Sequence, residues 1–295
     1  MDSNIGWEFY RSFLGVLQEG SLSGAARAMG IAQPTVGRHI AALEKALGLV
    51  LFTRSHAGLL PTEAATMLRA QAAEMASIAA ALERTAASQG EGVRGVVRIT
   101  ASEVIGVEVL PPIIAGLREQ YPALKVELML SNRVQDLLHR EADIAVRMAR
   151  PVQGQLIARH VGRLELGLHA TKGYVARHGR PGKPSELEGH ALIGYDQPTA
   201  FIRAAAKGLP GFEREQFSIR TDSDLCQLAL LRAGAGIGVC QVALARRDKA
   251  LVRILPKQVA IHLDTWITMH EDLRHSPRCR VAFEALVDGM QRYAA

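Results

Sequence analysis

Apolar residues recur with helical spacing along the first fifty positions. Phe13, Val16 and Leu17 fall at i, i+3 and i+4 and stop at Gly20. Ala25, Ala26 and Met29 repeat the pattern and stop at Gly30, and Val36, Ile40, Leu43 and Leu47 form a longer stripe closed by Gly48. Three amphipathic helices are predicted, each ended by a glycine. Ser21 and Ser23 are N-cap candidates for the second, and Pro34 falls in the first turn of the third, where its missing N–H costs nothing. Two short helices joined by a tight glycine turn predict a helix-turn-helix, a motif whose second helix fits the DNA major groove. Leu51 and Phe52 then lead into Thr53, Arg54, Ser55 and His56, the polar tip of a predicted β-wing around Gly58.

From Thr62 to Ser88 the chain has neither Gly nor Pro, and Met67, Leu68, Met75, Ile78 and Leu82 recur at steps near three and four. The spacing predicts one long helix with Thr62 as N-cap, and its alanine-rich seam permits a second helix to approach closely, as in a dimer. Gln89-Gly90-Glu91-Gly92 breaks it. Beyond that point strands alternate with helices: a strand at 93–100, a helix from Val104 to Tyr121 interrupted by Pro111-Pro112, a strand at 126–130, a short helix at 135–140 and a strand at 143–147. A second run follows, with strands at 164–170, 191–194, 217–221 and 236–240, helices at 172–178 and 224–233, and a polar loop after Cys240. A strand at 265–269 and a helix at 278–293 return to the first run. This alternation predicts parallel α/β sheets in two lobes. The predicted organisation is a winged helix-turn-helix domain at 1–61, a linker helix at 62–90, and a two-lobed domain at 91–295, with lobe I at about 91–163 and 265–295 and lobe II at about 164–264.

Charge changes this picture less than its total suggests. The net charge is +6, but residues 1–90 carry seven Lys+Arg against seven Asp+Glu, so the excess lies in the rest of the chain. Support for a polyanionic partner comes from placement instead: Arg27, Arg38, Lys45 and Arg54 stand against Glu44 alone between residues 24 and 60. The first residues show no basic segment followed by an apolar one, and no uncharged apolar run approaches a membrane span, so a cytoplasmic protein is expected. Cys226, Cys240 and Cys279 fit no metal or disulfide spacing. Cys226 is expected to be a small buried residue, a redox sensor being the alternative. No cofactor or metal is expected. Gly234-Ala235-Gly236-Ile237-Gly238 lacks the strand, spacing and Lys-Ser/Thr of a phosphate loop, His160, His169, His178 and His190 are too scattered for metal ligation, and no Gly-x-Ser-x-Gly elbow occurs. An enzyme is therefore not expected. A pure solute-binding protein would leave residues 1–90 without purpose.

The polar face of the third helix carries chemistry suited to DNA. Gln33 and Arg38 belong to the types that make bidentate bonds to base edges, and Thr35 to those that bond a base or a phosphate. Ser23, Gln33, Pro34, Thr35, Arg38, His39 and Arg54 are the candidate DNA contacts, with Arg54 on the wing.

The ordered series Gly20-Ser21, Ala25-Ala26, Gln33-Pro34-Thr35-Val36-Gly37-Arg38-His39-Ile40, Leu43-Glu44-Lys45-Ala46-Leu47-Gly48 and Leu51-Phe52-Thr53-Arg54 resembles the N-terminal domain of the LysR-type transcriptional regulators. Ala142-Asp143-Ile144-Ala145-Val146-Arg147 and Leu231-Arg232-Ala233-Gly234-Ala235-Gly236-Ile237-Gly238 more loosely resemble the family's periplasmic-binding-protein-like effector module. Gly37 stands where the family usually has serine and His39 where it often has glutamine; Pro61-Thr62 and Ala65 replace the usual Leu-Thr and Gly of the closing motif. The resemblance implies double-stranded operator DNA as partner, a homodimer or homotetramer, contact with RNA polymerase at promoters, and a small-molecule effector between the lobes.

Ligands of open α/β sheets bind beyond the carboxyl ends of strands. The residues there are Ser102 and Glu103, Ser131, Asn132 and Arg133, Arg147, and Thr221, Asp222 and Ser223. Arg147 and helix N-termini favour a small organic anion, whereas Glu103 and Asp222 favour an amine or amino acid. For the serines the competing reading is a plain helix cap.

Overall fold

The computed structural model describes residues 5–55, 58–86, 92–132, 142–151, 156–205, 207 and 213–295. These fall into two compact units, one within residues 5–86 and one within 92–295.

In the first unit, α1 (Trp7–Glu19), α2 (Leu22–Met29) and α3 (Gln33–Leu47) end at Gly20, Gly30 and Gly48, each left-handed with φ of 66°, 67° and 68°. The first helix begins six residues earlier than Phe13. Of the two cap candidates, Ser21 caps α2 by accepting from Gly24 N–H, and Ser23 lies inside the helix. Phe13, Val16, Ala25, Ala26, Val36, Ile40 and Leu43 form the shared core. The wing is β1 (Phe52–Ser55) paired antiparallel with β2 (Gly58–Pro61). Thr53, Arg54 and Ser55 are therefore strand residues rather than the tip, and His56 lies outside the described residues. The Glu44 carboxylate fixes the approach to the wing, accepting from the N–H groups of Leu51 (2.7 Å) and Phe52 (3.3 Å). Thr62 Oγ1 accepts from Ala65 N–H ahead of α4 (Glu63–Ala86), and Ala65 and Ala72 of that helix join the core.

The second unit is built on one mixed sheet of seven strands, not on separate parallel sheets. Its strands are β3 (Gly95–Ala101), β4 (Leu124–Leu130), β5 (Ile144–Arg147), β6 (Leu156–Thr171), β9 (Gly238–Gln241), β10 (Leu251–Arg253) and β11 (Ile261–His270). The order is β10-β6-β11-β5-β3-β4, with β9 also on β6. Only β4, β3 and β5 run parallel; β11 is antiparallel to β5 and β6. The sequence concealed this because β6 is 16 residues long, and only its second, more apolar half alternates clearly. A short parallel pair, β7 (Ile193–Gly194) and β8 (Ile219–Arg220), completes the second lobe.

The helix expected from Val104 to Tyr121 is two, α5 (Glu103–Glu108) and α6 (Leu110–Gln120), parted at Val109, with the proline pair opening the second where a missing N–H is harmless. Then come α7 (Lys172–His178), α8 (Ala200–Ala205), α9 (Asp224–Arg232), α10 (Val242–Ala245), in place of the expected polar loop, and α11 (Pro277–Ala294). The helix expected at 135–140 lies outside the described residues. One core packs α5, α6 and α11 on the parallel strands; separate clusters around Ile237 and Leu231 fill the second lobe. Cys226 is exposed rather than buried, because it lies on the outward side of α9; Cys240 and Cys279 are buried. No helix among the described residues is long and apolar enough to cross a membrane.

Candidate functional site

On α3, burial of Val36, Ile40 and Leu43 turns the opposite side of the helix outward. Gln33, Pro34 and Arg38 are exposed there, with Thr35 half-buried beside them. The Arg38 guanidinium donates to Thr35 Oγ1 (3.1 Å), one turn back, which holds it along the helix. Arg54 is exposed on β1. Ser23 is half-buried in the first turn of α2. His39 does not join this group. Its Nδ1 is 2.8 Å from the hydroxyl of buried Ser12, and its ring tilts against Phe9 at 5.1 Å, so it ties α3 to α1. At Gly37 an added Cβ would meet only Leu22 Cδ1, at an ordinary 3.7 Å, so space does not demand glycine there.

In the second unit the strand ends border a cavity of about 890 Å³. Ser102 (after β3), Ser131 (after β4), Arg147 (ending β5) and Asp222 (after β8) line it. Glu103, Thr221 and Ser223 do not. The Glu103 N–H donates to Asn132 Oδ1, Thr221 Oγ1 accepts from Ser223 N–H, and Ser223 Oγ accepts from Cys226 N–H as the cap of α9. For Ser223 the plain cap reading holds. Arg133 lies outside the described residues. Arg147 is buried and donates to Thr100 Oγ1 (2.7 Å) and the Val146 carbonyl (3.1 Å). Asp222 Oδ1 accepts from the N–H groups of Asp196 (3.0 Å) and Gln197 (2.8 Å).

Two further lining residues carry the polar chemistry that the sequence did not disclose, Tyr195 and Asp224. The Tyr195 hydroxyl donates to Asp224 Oδ1 (2.5 Å), and the Asn132 amide donates to Asp224 Oδ2 (3.0 Å), joining the end of β4 to α9 across the cavity. Burial pushes the Asp224 carboxyl above its ordinary value, against the pull of these two donors, and raises the Tyr195 phenol well above its own. A second link has the Arg232 guanidinium on both oxygens of Glu108, at 2.6 and 2.9 Å. Those bonds hold Glu108 below the usual carboxylate range.

Residues 90–291 match the family profile of the LysR substrate binding domain, and residues 7–66 match that of the bacterial regulatory helix-turn-helix protein, lysR family. The chain belongs to the LysR family of transcriptional regulators. This LysR-family chain is 29% identical over 247 residues to the HTH-type transcriptional regulator CrgA of Neisseria meningitidis, covering 83% of this chain and 82% of CrgA. An HTH-type transcriptional regulator of Xanthomonas campestris is 30% identical over 181 residues, 61% of this chain and 53% of that protein. The solved structure of CrgA matches with a TM-score of 0.61 at 26% identity, covering 96% of this chain and 98% of that one. Full-length CbnR complexed with its target DNA matches with a TM-score of 0.66 at 18% identity, over 98% and 100% of the two chains, a likeness of fold.

In the regulator, Tyr195 follows the short strand β7, so the strand-end rule that singled out Ser102 and Arg147 reaches it too. Asp224 stands two residues past Asp222, in the run Thr221-Asp222-Ser223-Asp224. Either was within reach of the same pattern.

Proposed function

We propose that this regulator reads operator DNA with the outward half of α3, and that a small organic anion held between the two lobes of residues 91–295 modulates its DNA binding or activation. Gln33 and Arg38 face base edges, Thr35 and the opening of α3 at Pro34 meet phosphate, and Arg54 reaches the backbone or minor groove beside the wing. Exposed Met67, Met75, Ile78 and Leu82 on α4 supply the apolar side for a homodimer, whose two-fold axis sets the spacing of pseudo-palindromic half-sites. Pairing of dimers into a tetramer, and contact with RNA polymerase, then belong to the activation step, in the cytoplasm with the DNA.

The anion reading is favoured by Arg147 on the cavity wall and by Asp222, one of the two acids that argued for an amine, whose Oδ1 already takes two backbone donors; the other, Glu103, keeps a buried Oε2 that no described residue bonds and pulls toward the amine. Both oxygens of Asp224 and one of Asp222 already take protein donors. Effector and DNA are coupled through one free energy, so DNA also changes effector affinity.

One observation carries the DNA reading: the polar side of α3 is exposed at Gln33 and Arg38 while its other side forms the core. A gel shift with the upstream DNA of the gene tests it. Arg38→Ala loses about 1–3 kcal/mol of binding if Arg38 meets a base. An unchanged shift would refute that role.

A further inference from the structure

Positive charge gathers in one place well away from the helix-turn-helix in sequence. Residues 172–183 carry four Lys and Arg and no acid, and residues 246–257 carry five against Asp248 alone. Together they hold more than the chain's whole excess of +6. The fold joins the two stretches at the base of the second lobe. There β10 pairs with the end of β6, the Lys172 N–H donates to the Ala250 carbonyl (2.7 Å), and the Arg180 guanidinium donates to the Arg253 carbonyl (2.6 Å).

The protein neutralises few of these charges itself. Arg253 pairs with Glu165 (2.8 Å), with Arg246 adding its field, and Arg247 turns away to the Glu108 carbonyl and the Tyr293 ring. The nearby acids are engaged with backbone: Asp248 accepts from Ala250 N–H, and Glu186, just beyond the first stretch, from Gly182 N–H. Lys172, Arg177, Arg180, Lys183, Lys249 and Lys257 are exposed and form no ion pair among the described residues. Like charges left so repel one another, and a polyanion laid across them relieves the repulsion.

The surface between the cations selects among polyanions. Neither stretch exposes a large apolar side chain, and Tyr174, their one Phe, Tyr or Trp, is buried. Protein interfaces are anchored by buried aromatic and apolar groups, and single-stranded nucleic acid stacks its bases on exposed aromatic rings. The backbone of duplex DNA asks only for cations.

We infer that the base of the second lobe binds the phosphate backbone of duplex DNA without regard to sequence, as a second DNA surface besides α3 and the wing. It takes from the DNA reading above only that the molecule works on duplex DNA, so the role of α3 and the role of this surface can fail separately.

Fluorescence anisotropy on the full-length protein tests the assignment. The probes are the upstream DNA of the gene and an unrelated duplex of equal length, each titrated over a range of salt concentrations. A quadruple variant carries Lys172→Ala, Arg177→Ala, Lys183→Ala and Lys249→Ala, whose side chains make no hydrogen bond or ion pair among the described residues. It should melt near the parent temperature. Each phosphate contact contributes about 0.9 to the slope of log K against log salt, so the variant should lose at least about two from that slope. It should also bind both duplexes more weakly by the same factor. Arg38→Ala should instead lose the preference for the upstream DNA and keep most of the slope. A quadruple variant with the parent's slope on both duplexes would overturn the inference, whatever Arg38→Ala does. An Arg38→Ala protein that keeps its preference would overturn the role of α3 and leave this surface standing. Lys172→Arg, Lys183→Arg and Lys249→Arg together keep the charge and should keep the slope; a slope lost there would trace the loss to structure and overturn the inference. Unchanged DNA slopes in the quadruple variant with lost retention on poly-glutamate would give the surface to an acidic protein, and would overturn it equally.

Discussion

Ser102 on the cavity wall and Ser223 off it hold the same place in their elements, each the residue just before a helix, and their hydroxyls do opposite things. Ser223 Oγ accepts from Cys226 N–H and caps α9. Ser102 Oγ caps nothing, and beside it the Glu103 N–H donates to the Asn132 side-chain oxygen. Around Ser223 the polar groups are engaged locally: Thr221 Oγ1 with Ser223 N–H, Asp222 with Asp196 and Gln197, and the Gln227 amide with the Thr221 carbonyl. The lesson is that place alone does not make a serine just before a helix a contact: Ser223 spends its hydroxyl on the cap and Ser102 does not.

The contrast between engaged polar groups and an open one can be broken in four ways. Burial, against the pull of the Gly167 carbonyl, lowers the pKa of His169 at the base of the second lobe from 6.5 to about 4. Between those values the unfolded chain takes up a proton that the folded chain refuses. Stability should therefore fall as pH drops through that window, by at most about 3 kcal/mol, and His169→Gln should flatten the fall seen in denaturant titrations at several pH values. Asp224→Ala strips Tyr195 and Asn132 of their acceptor and should cost about 1–3 kcal/mol in chemical denaturation. Ser223→Ala removes a working cap and should cost about 1 kcal/mol by the same measurement. Ser102→Ala should change stability by less than about 0.5 kcal/mol, since no protein bond is lost. Equal costs for the two serines would erase the distinction.

Legibility in the sequence followed distance along the chain. The helix-turn-helix is local: its apolar stripes, glycine stops and Pro34 lie within fifty residues, and each maps onto α1, α2 or α3 as read. The outward positions of Gln33 and Arg38 follow from helical period alone. His39 does not, because its inward turn depends on Ser12, 27 residues away. In the second unit the strand-end rule reached Ser102, Ser131, Arg147 and Asp222, all on the cavity wall. It could not separate them from Thr221 and Ser223, whose hydroxyls are held by backbone N–H groups only a turn away. The Tyr195–Asp224–Asn132 chain joins residues 29 and 92 positions apart, and no periodicity links them. The sheet was misjudged because β6 and β11 serve both lobes, so their ends follow neither lobe's alternation.

Those two long strands limit how the cavity can open. Their antiparallel ladder runs unbroken from Leu166–Ile261 to Leu156–His270 except at Thr265/Trp266, where the register slips beside Gly162, whose φ is 134°. Lobes joined by such a ribbon cannot swing on slack tethers; they can only flex it, as a leaf spring flexes. The irregular step is its softest point, where a bulge already leaves a residue unpaired.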